Sequence, residues 1–179
     1  MRTGPDAAKY FCGQNNGIIL EFGEAGSMKL VKKKYRTKVL FVCLGNACRS
    51  PMAEAIASRL AADVMDASSG GLTPLGRIEP LTAETLARNG YPPAGLESKP
   101  IQFGALRTAD MIINMSGRPK DVAFDDPGRV EDWLVEDPYG ADAELYQRIF
   151  EDIERRVAKL ADRLRKPEQS ERKSGHIKR

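Results

Sequence analysis

Cys43 stands six residues ahead of Arg49 in the run Cys43-Leu44-Gly45-Asn46-Ala47-Cys48-Arg49-Ser50, and a thiol with an arginine at that spacing suits the handling of an oxyanion. Set between a strand and a helix, a loop of this length wraps so that its backbone N–H groups converge at the helix N-terminus, where partial positive charge favours a tetrahedral dianion. Leu44, Gly45, Asn46, Ala47, Cys48 and Ser50 make up that cradle. Gly and Asn tolerate left-handed backbone angles, which is the expectation for Gly45 and Asn46. Arg49 offers a planar fork to two oxygens, a geometry that lysine cannot supply. Cys43, on the floor, would feel the helix terminus, the amides and Arg49, all of which favour its thiolate. A thiolate there can attack phosphorus in line, and the Ser50 hydroxyl can donate toward the sulfur and stabilise it as a leaving group. Cys48, five residues beyond Cys43, is within reach for a disulfide that would block the nucleophile reversibly. The alternative is that Cys48 is simply small and apolar.

A strand must deliver Cys43 and a helix must follow it. Thr37 to Cys43 (TKVLFVC) is a short apolar run rich in β-branched and aromatic residues, the pattern of a strand buried on both faces. Ser50 is the expected N-cap and Pro51 the first helical residue, with Met52, Ile56 and Leu60 facing the sheet. The alternation then continues: Val64–Ser68 as a strand, Leu81–Arg88 as a helix closed by Asn89-Gly90, and Asp110–Asn114 and Arg129–Leu134 as strands. Leu145, Ile149, Ile153, Val157, Leu160 and Leu164 make one apolar stripe on a long last helix. The pattern predicts an α/β fold of three layers, a doubly wound parallel four-stranded sheet with helices on both faces and its ligand at the strands' C-terminal ends.

That domain is expected over residues 38–166. Residues 1–37 form an N-terminal arm in which Ile18–Phe22 and Met28–Tyr35 suit either a loose appendage or a β-hairpin, and Met28 offers an alternative start. Residues 167–179 read as a disordered basic tail. Residues 1–37 carry seven Lys/Arg against three Asp/Glu and residues 163–179 seven against two, which leaves 14 against 20 for Lys38–Asp162. An acidic body with basic ends argues against nucleic acid as substrate. No run approaches the roughly 18 apolar residues of a membrane span, and Met1–Tyr10 lacks a secretion signal, so a cytoplasmic protein with no membrane partner is expected. Three cysteines and one histidine make neither a disulfide framework nor a four-ligand zinc site, and neither metal nor cofactor is expected. Nothing in the sequence specifies an oligomeric state.

Val39 to Glu54, VLFVCLGNACRSPMAE, resembles the signature loop of the low-molecular-weight protein tyrosine phosphatases. The resemblance extends over about residues 38–165, with Ser68-Ser69-Gly70 and Asp137-Pro138-Tyr139 as further matches. It implies hydrolysis of phosphomonoesters, phosphotyrosine or small aryl phosphates, through a cysteinyl-phosphate on Cys43, with a phosphorylated protein or small phosphomonoester as partner. A thiolate expels a phenolate poorly unless the leaving group is protonated. The resemblance gives that task to Asp137, as general acid and then base, and makes Tyr139 a wall of the cleft. It also implies that Asn46, Ser50 and Ser68 form the hydrogen-bond net supporting the loop. This chain departs from the family in reading Met115-Ser116 where Met-Asp is typical. Its only histidine is His176 in the tail, although a loop-supporting histidine is usual. No aromatic between Gly71 and Glu79 faces Tyr139, and Gly140 follows where a second aromatic is common.

The same fold hosts arsenate reductases. Those that use thioredoxin resemble this loop but need a further cysteine pair, and no cysteine follows Cys48. Those that release arsenic to a low-molecular-weight thiol need none, so arsenate reduction stays open, as does a non-catalytic oxyanion-binding protein.

Overall fold

In the computed structural model the residues described are 18–22, 28–32 and 35–166. The chain divides into two units, residues 1–36 and 37–179. In the first, β1 (Ile18–Phe22) pairs antiparallel with β2 (Met28–Lys32), Ile18 opposite Lys32 and Phe22 opposite Met28. The rest of the arm, Cys12 included, and the tail 167–179 lie outside the described residues.

The second unit is built on β3 (Thr37–Cys43), flanked by β4 (Met65–Gly71) on one side and β5 (Met111–Asn114) on the other, with β6 (Val130–Asp132) beyond β5. All three pairings are parallel. Successive β3 side chains point to opposite faces, so the strand feeds two cores at once. Val39, Phe41 and Cys43 join the apolar faces of α1 (Arg49–Leu60) and α5 (Ala143–Arg165), where Met52, Ile56, Ile153 and Val157 have no exposed surface. Leu40 and Val42 pack on the other side with Ile112, Val130 and Leu106, the last from α3 (Phe103–Thr108). This is the expected α/β sheet covered on both faces, with strand order reversing beside β3.

Several boundaries differ from the pattern. β4 runs to Gly71 instead of ending at Ser68, because Ser69, Gly70 and Gly71 pair with Phe41, Val42 and Cys43. The two glycines look like a strand end but serve close approach: a Cβ on Gly71 would stand 3.0 Å from both Asn46 N and Leu44 O. β6 is shorter than Arg129–Leu134, since Arg129 belongs to a 3₁₀ turn and Trp133 has left the strand while still donating its N–H to Asn114 O at 2.8 Å. Helix α2 (Pro80–Arg88) begins one residue early. Helices α3 and α4 (Lys120–Ala123) were not expected, being too short to show an apolar period. Asp142 caps α5, its Oδ1 accepting from Leu145 N–H at 2.9 Å. Among the described residues no helix is long and apolar enough to cross a membrane.

Candidate active site

The loop from Leu44 to Cys48 leaves β3 at the point where the strand order reverses, and its carbonyls are drawn outward by one neighbouring segment. Cys43 O, Leu44 O, Gly45 O and Ala47 O accept from the N–H groups of Leu72, Thr73, Leu75 and Glu79 at 2.8 to 3.1 Å. The Thr82 hydroxyl adds a second bond to Ala47 O. The N–H groups of residues 44–48 take no part in the loop's backbone hydrogen bonds. They remain available at the N-terminus of α1 for an anion.

Asn46 is the hub of this wrapping. Its φ of +46° makes it the only non-glycine with positive φ among the described residues, and its side chain is fully buried. Nδ2 donates to Ser50 Oγ at 2.8 Å and Ser69 Oγ at 2.9 Å, while Oδ1 accepts from Lys99 N–H at 2.8 Å. Ser69 in turn donates to Glu54 Oε2 at 2.6 Å. Both Asn46 protons are thus spent, and Ser50 Oγ lies 3.0 Å from Cys43 Sγ and 3.5 Å from Gly70 O, so its proton can serve either. Gly45, by contrast, does not use positive φ. A Cβ there would meet Leu75 Cγ at 3.0 Å, so space is what it supplies.

Two expectations are corrected. Ser50 does not cap α1, which begins at Arg49; Cys48 holds the cap position with no side-chain cap bond, and the Ser50 hydroxyl faces Asn46 and Cys43 instead. The supporting serine is Ser69, not Ser68. In register Ser69 lies opposite Phe41, on the face shared with Cys43 and α1, whereas Ser68 lies opposite Leu40 on the other. Glu54, Ser98 and Lys99 also went unread. Glu54 lies one helical turn beyond Ser50, a spacing that puts both on one face and could have pointed to it. Ser98 bridges the two loops, donating to Gly45 O at 3.0 Å and accepting from Gly76 N–H at 3.1 Å. The serine and the Lys99 backbone N–H hold the cradle where a histidine is usual.

Arg49 is 5% exposed. Its Nη2 pairs with Asp137 Oδ2 at 2.5 Å and Nη1 donates to Val135 O at 3.3 Å, so the segment after β6 is drawn onto the cradle. Its buried Nε has no partner among the described residues, a donor left over beside the loop amides. Asp137 also accepts from Tyr139 N–H at 3.2 Å. Cys43, Arg49, Asp137 and Tyr139 line one cavity of about 360 Å³ together with Leu75 and Arg118. Tyr139, Leu75 and Leu44 are 53, 46 and 37% exposed and give the mouth an apolar rim.

Cys48 is buried, and its Sγ lies 3.3 Å from Tyr146 Oη. Burial pushes the Cys48 thiol above its ordinary range, partly offset by hydrogen bonds to Tyr146 and Thr82. Burial and the bond to Cys48 likewise raise the Tyr146 phenol. Cys43 and Cys48 are both free thiols. Among the described residues no three His, Cys, Asp or Glu side chains are grouped to hold a metal ion.

A buried thiol at the base of a loop with unspent amides, at the switch point of a doubly wound α/β sheet, is an arrangement suited to a tetrahedral oxyanion. Residues 38–170 match the low molecular weight phosphotyrosine protein phosphatase family, and the chain belongs to it. The chain is 30% identical over 146 residues to the protein-arginine-phosphatase of Bacillus subtilis, covering 72% of this chain and 97% of that one. It is 32% identical over 128 residues to the glutaredoxin arsenate reductase of a Synechocystis species, covering 69% and 95%. The structure of a low-molecular-weight protein tyrosine phosphatase from T. tengcongensis superposes with a TM-score of 0.65 at 28% identity, covering 72% of this chain and 99% of that one.

Proposed function

We propose that this chain is a phosphatase acting on aryl phosphomonoesters, phosphotyrosine among them. The observation that carries the reading is the apolar rim of Leu44, Leu75 and Tyr139 above the cradle, a surface that a phenyl ring would cover and bare arsenate would not. In this reading the Cys43 thiolate attacks phosphorus in line, forming an S–P bond while the P–O bond to the aryl group breaks. Arg49 and the loop amides hold the equatorial oxygens. Displaced from Arg49 by the substrate oxygens, Asp137 takes up a proton from solvent and gives it to the departing phenolate, then takes one from the water that attacks phosphorus and releases orthophosphate. The Ser50 hydroxyl steadies the returning thiolate.

Among the described residues the cavity's one carboxylate, Asp137, is the proposed acid, and a second arginine lines the wall, an environment that suits a neutral ring better than the guanidinium of a phosphoarginine. Arsenate reduction is the second reading, favoured by the relative of that name at 32% identity. One preparation assayed for p-nitrophenyl phosphate hydrolysis, phosphoarginine hydrolysis and arsenate-dependent thiol oxidation separates the three. Aryl phosphate turnover well above the others is expected, and its absence overturns the proposal.

A further inference from the structure

Arg118 is the second arginine of the active-site cavity, and phosphoryl transfer as described has no use for it. Its backbone is held with unusual care. Asn114, the last residue of β5, spends both Nδ2 protons, on the Arg118 carbonyl and on Asp132 Oδ1, each at 2.7 Å. Asn114 Oδ1 accepts from the Ser116 N–H at 3.1 Å and the Ser116 hydroxyl at 2.7 Å, and Ser116 Oγ accepts from Arg118 N–H at 3.2 Å. Gly117, at φ +79°, makes the turn between them. Both backbone polar groups of Arg118 are therefore pinned by side chains of its own loop.

Its guanidinium, by contrast, has no ion pair or hydrogen bond among the described residues. Asp137, the one carboxylate lining the cavity among the described residues, is paired with Arg49 and, in the proposed mechanism, turns to the leaving group when substrate displaces it. Ser116 stands where the family typically has an aspartate, and its hydroxyl is turned back into the loop. A rigidly based cation with an uncommitted head at a cavity wall is a built recognition element for negative charge.

Resting on the phosphatase reading, we propose that Arg118 selects substrates that carry a second anionic group beside the phosphate. That group is a carboxylate or phosphate, on a residue flanking the phosphorylated one or on the aromatic ring itself. Arg118 touches neither the scissile bond nor the leaving oxygen. Its contribution is to specificity, and because the side chain is exposed the effect is modest and sensitive to salt.

The test uses two phosphotyrosine peptides identical except for glutamates or glutamines flanking the phosphotyrosine, and two small aryl phosphates with or without a ring carboxylate. Turnover is measured on the full chain, and binding on the Cys43→Ser protein by fluorescence anisotropy. A preference for the acidic peptide of about threefold to fivefold at low ionic strength is expected, shrinking with added salt. Arg118→Ala should abolish the preference and Arg118→Glu reverse it, while Arg88→Ala, which removes an exposed charge elsewhere, keeps it. A preference in the peptide pair alone puts the group on a flanking residue; one in the aryl pair as well puts it on the ring. Equal binding of all pairs by the wild-type loop, or a preference that survives Arg118→Ala, overturns the inference. Absence of turnover with the binding preference intact instead overturns the phosphatase reading alone.

Discussion

Two loops leave the C-terminal ends of neighbouring strands and dispose of their backbones in opposite ways. After β3, Leu44, Gly45 and Ala47 give their carbonyls to the segment from Leu72 to Thr82, while residues 44–48 keep their N–H groups. After β5, residues 115–118 commit the N–H groups of Ser116 and Arg118 to side chains, and what stays uncommitted is the Arg118 guanidinium. Under the proposed function the first loop recognises with its main chain, so it depends less on the partly exposed Leu44 side chain than on the buried Asn46 and Ala47 that set its path. The second recognises with one side chain, so its path matters only as a pedestal.

The largest effect expected is at Cys43. Cys43→Ser should lose hydrolysis to the detection limit and still bind inorganic phosphate, because a main-chain cradle survives loss of the thiol. Phosphate displacement measurements check this; loss of binding along with turnover would break the contrast between the loops. Arg49→Lys should lower kcat by roughly 10² to 10³, since a point charge cannot reproduce the fork. Turnover within tenfold of wild type would mean that the loop amides suffice alone.

Asp137→Asn sharpens the contrast from the facing segment. Phosphotyrosine, with a poor leaving group, should slow by about 10² to 10⁴, and an activated aryl phosphate far less. A uniform loss would assign Asp137 to holding Arg49 in place. Asp142 and Asp132 are poor substitutes as the acid, one capping α5 and the other accepting from Asn114.

Smaller effects separate neighbouring residues. Ser69→Ala strands one Asn46 proton and removes a hydrogen bond from Glu54, which keeps its ion pair with Lys99 at 4.0 Å, and this should cost about 1 to 3 kcal/mol in urea unfolding and lower kcat with it. Ser68→Ala should stay within about 0.5 kcal/mol. Equal costs would mean that β4 is read in the wrong register. The smallest effect concerns pH. With its folded-state value raised by burial, Cys48 stays protonated through neutrality, so iodoacetamide at pH 7 should label Cys43 and spare Cys48 on peptide mapping. The same shift contributes stability below the ordinary thiol range that is lost as pH rises beyond it, and Cys48→Ala should flatten that alkaline decline.

How far the sequence could be read follows from what each signal encodes. The strand, loop and helix around Cys43 were legible because their chemistry is local: apolar run, left-handed Asn46, arginine at fixed spacing. The apolar stripe of α5 was legible for the same reason, its period being long enough to see. Ser69 was missed for Ser68 because facing depends on a register that only the partner strand sets. The ties from Ser98 and Lys99 reach Gly45 and Asn46 across 53 residues, a distance at which spacing carries no information. Arg118 passed unnoticed because an exposed arginine beside a proline looks like any solvated charge; only the pinned carbonyl and amide distinguish it.

The ion pair between Arg49 and Asp137 turns ligand binding into an exchange. Asp137 is held against the Arg49 guanidinium, tethered two residues from Tyr139, so under the proposed function an arriving oxyanion displaces a resident carboxylate. The affinity seen in a titration is then the difference between two interactions. The resident, being part of the chain, is always present at the same effective concentration however dilute the protein. Under the proposed function a competitor of that kind works hardest on the weakest occupant, which would be orthophosphate without an aromatic ring to hold it on the rim. In that reading product release is assisted from inside the molecule, and the site resets itself for the next ester.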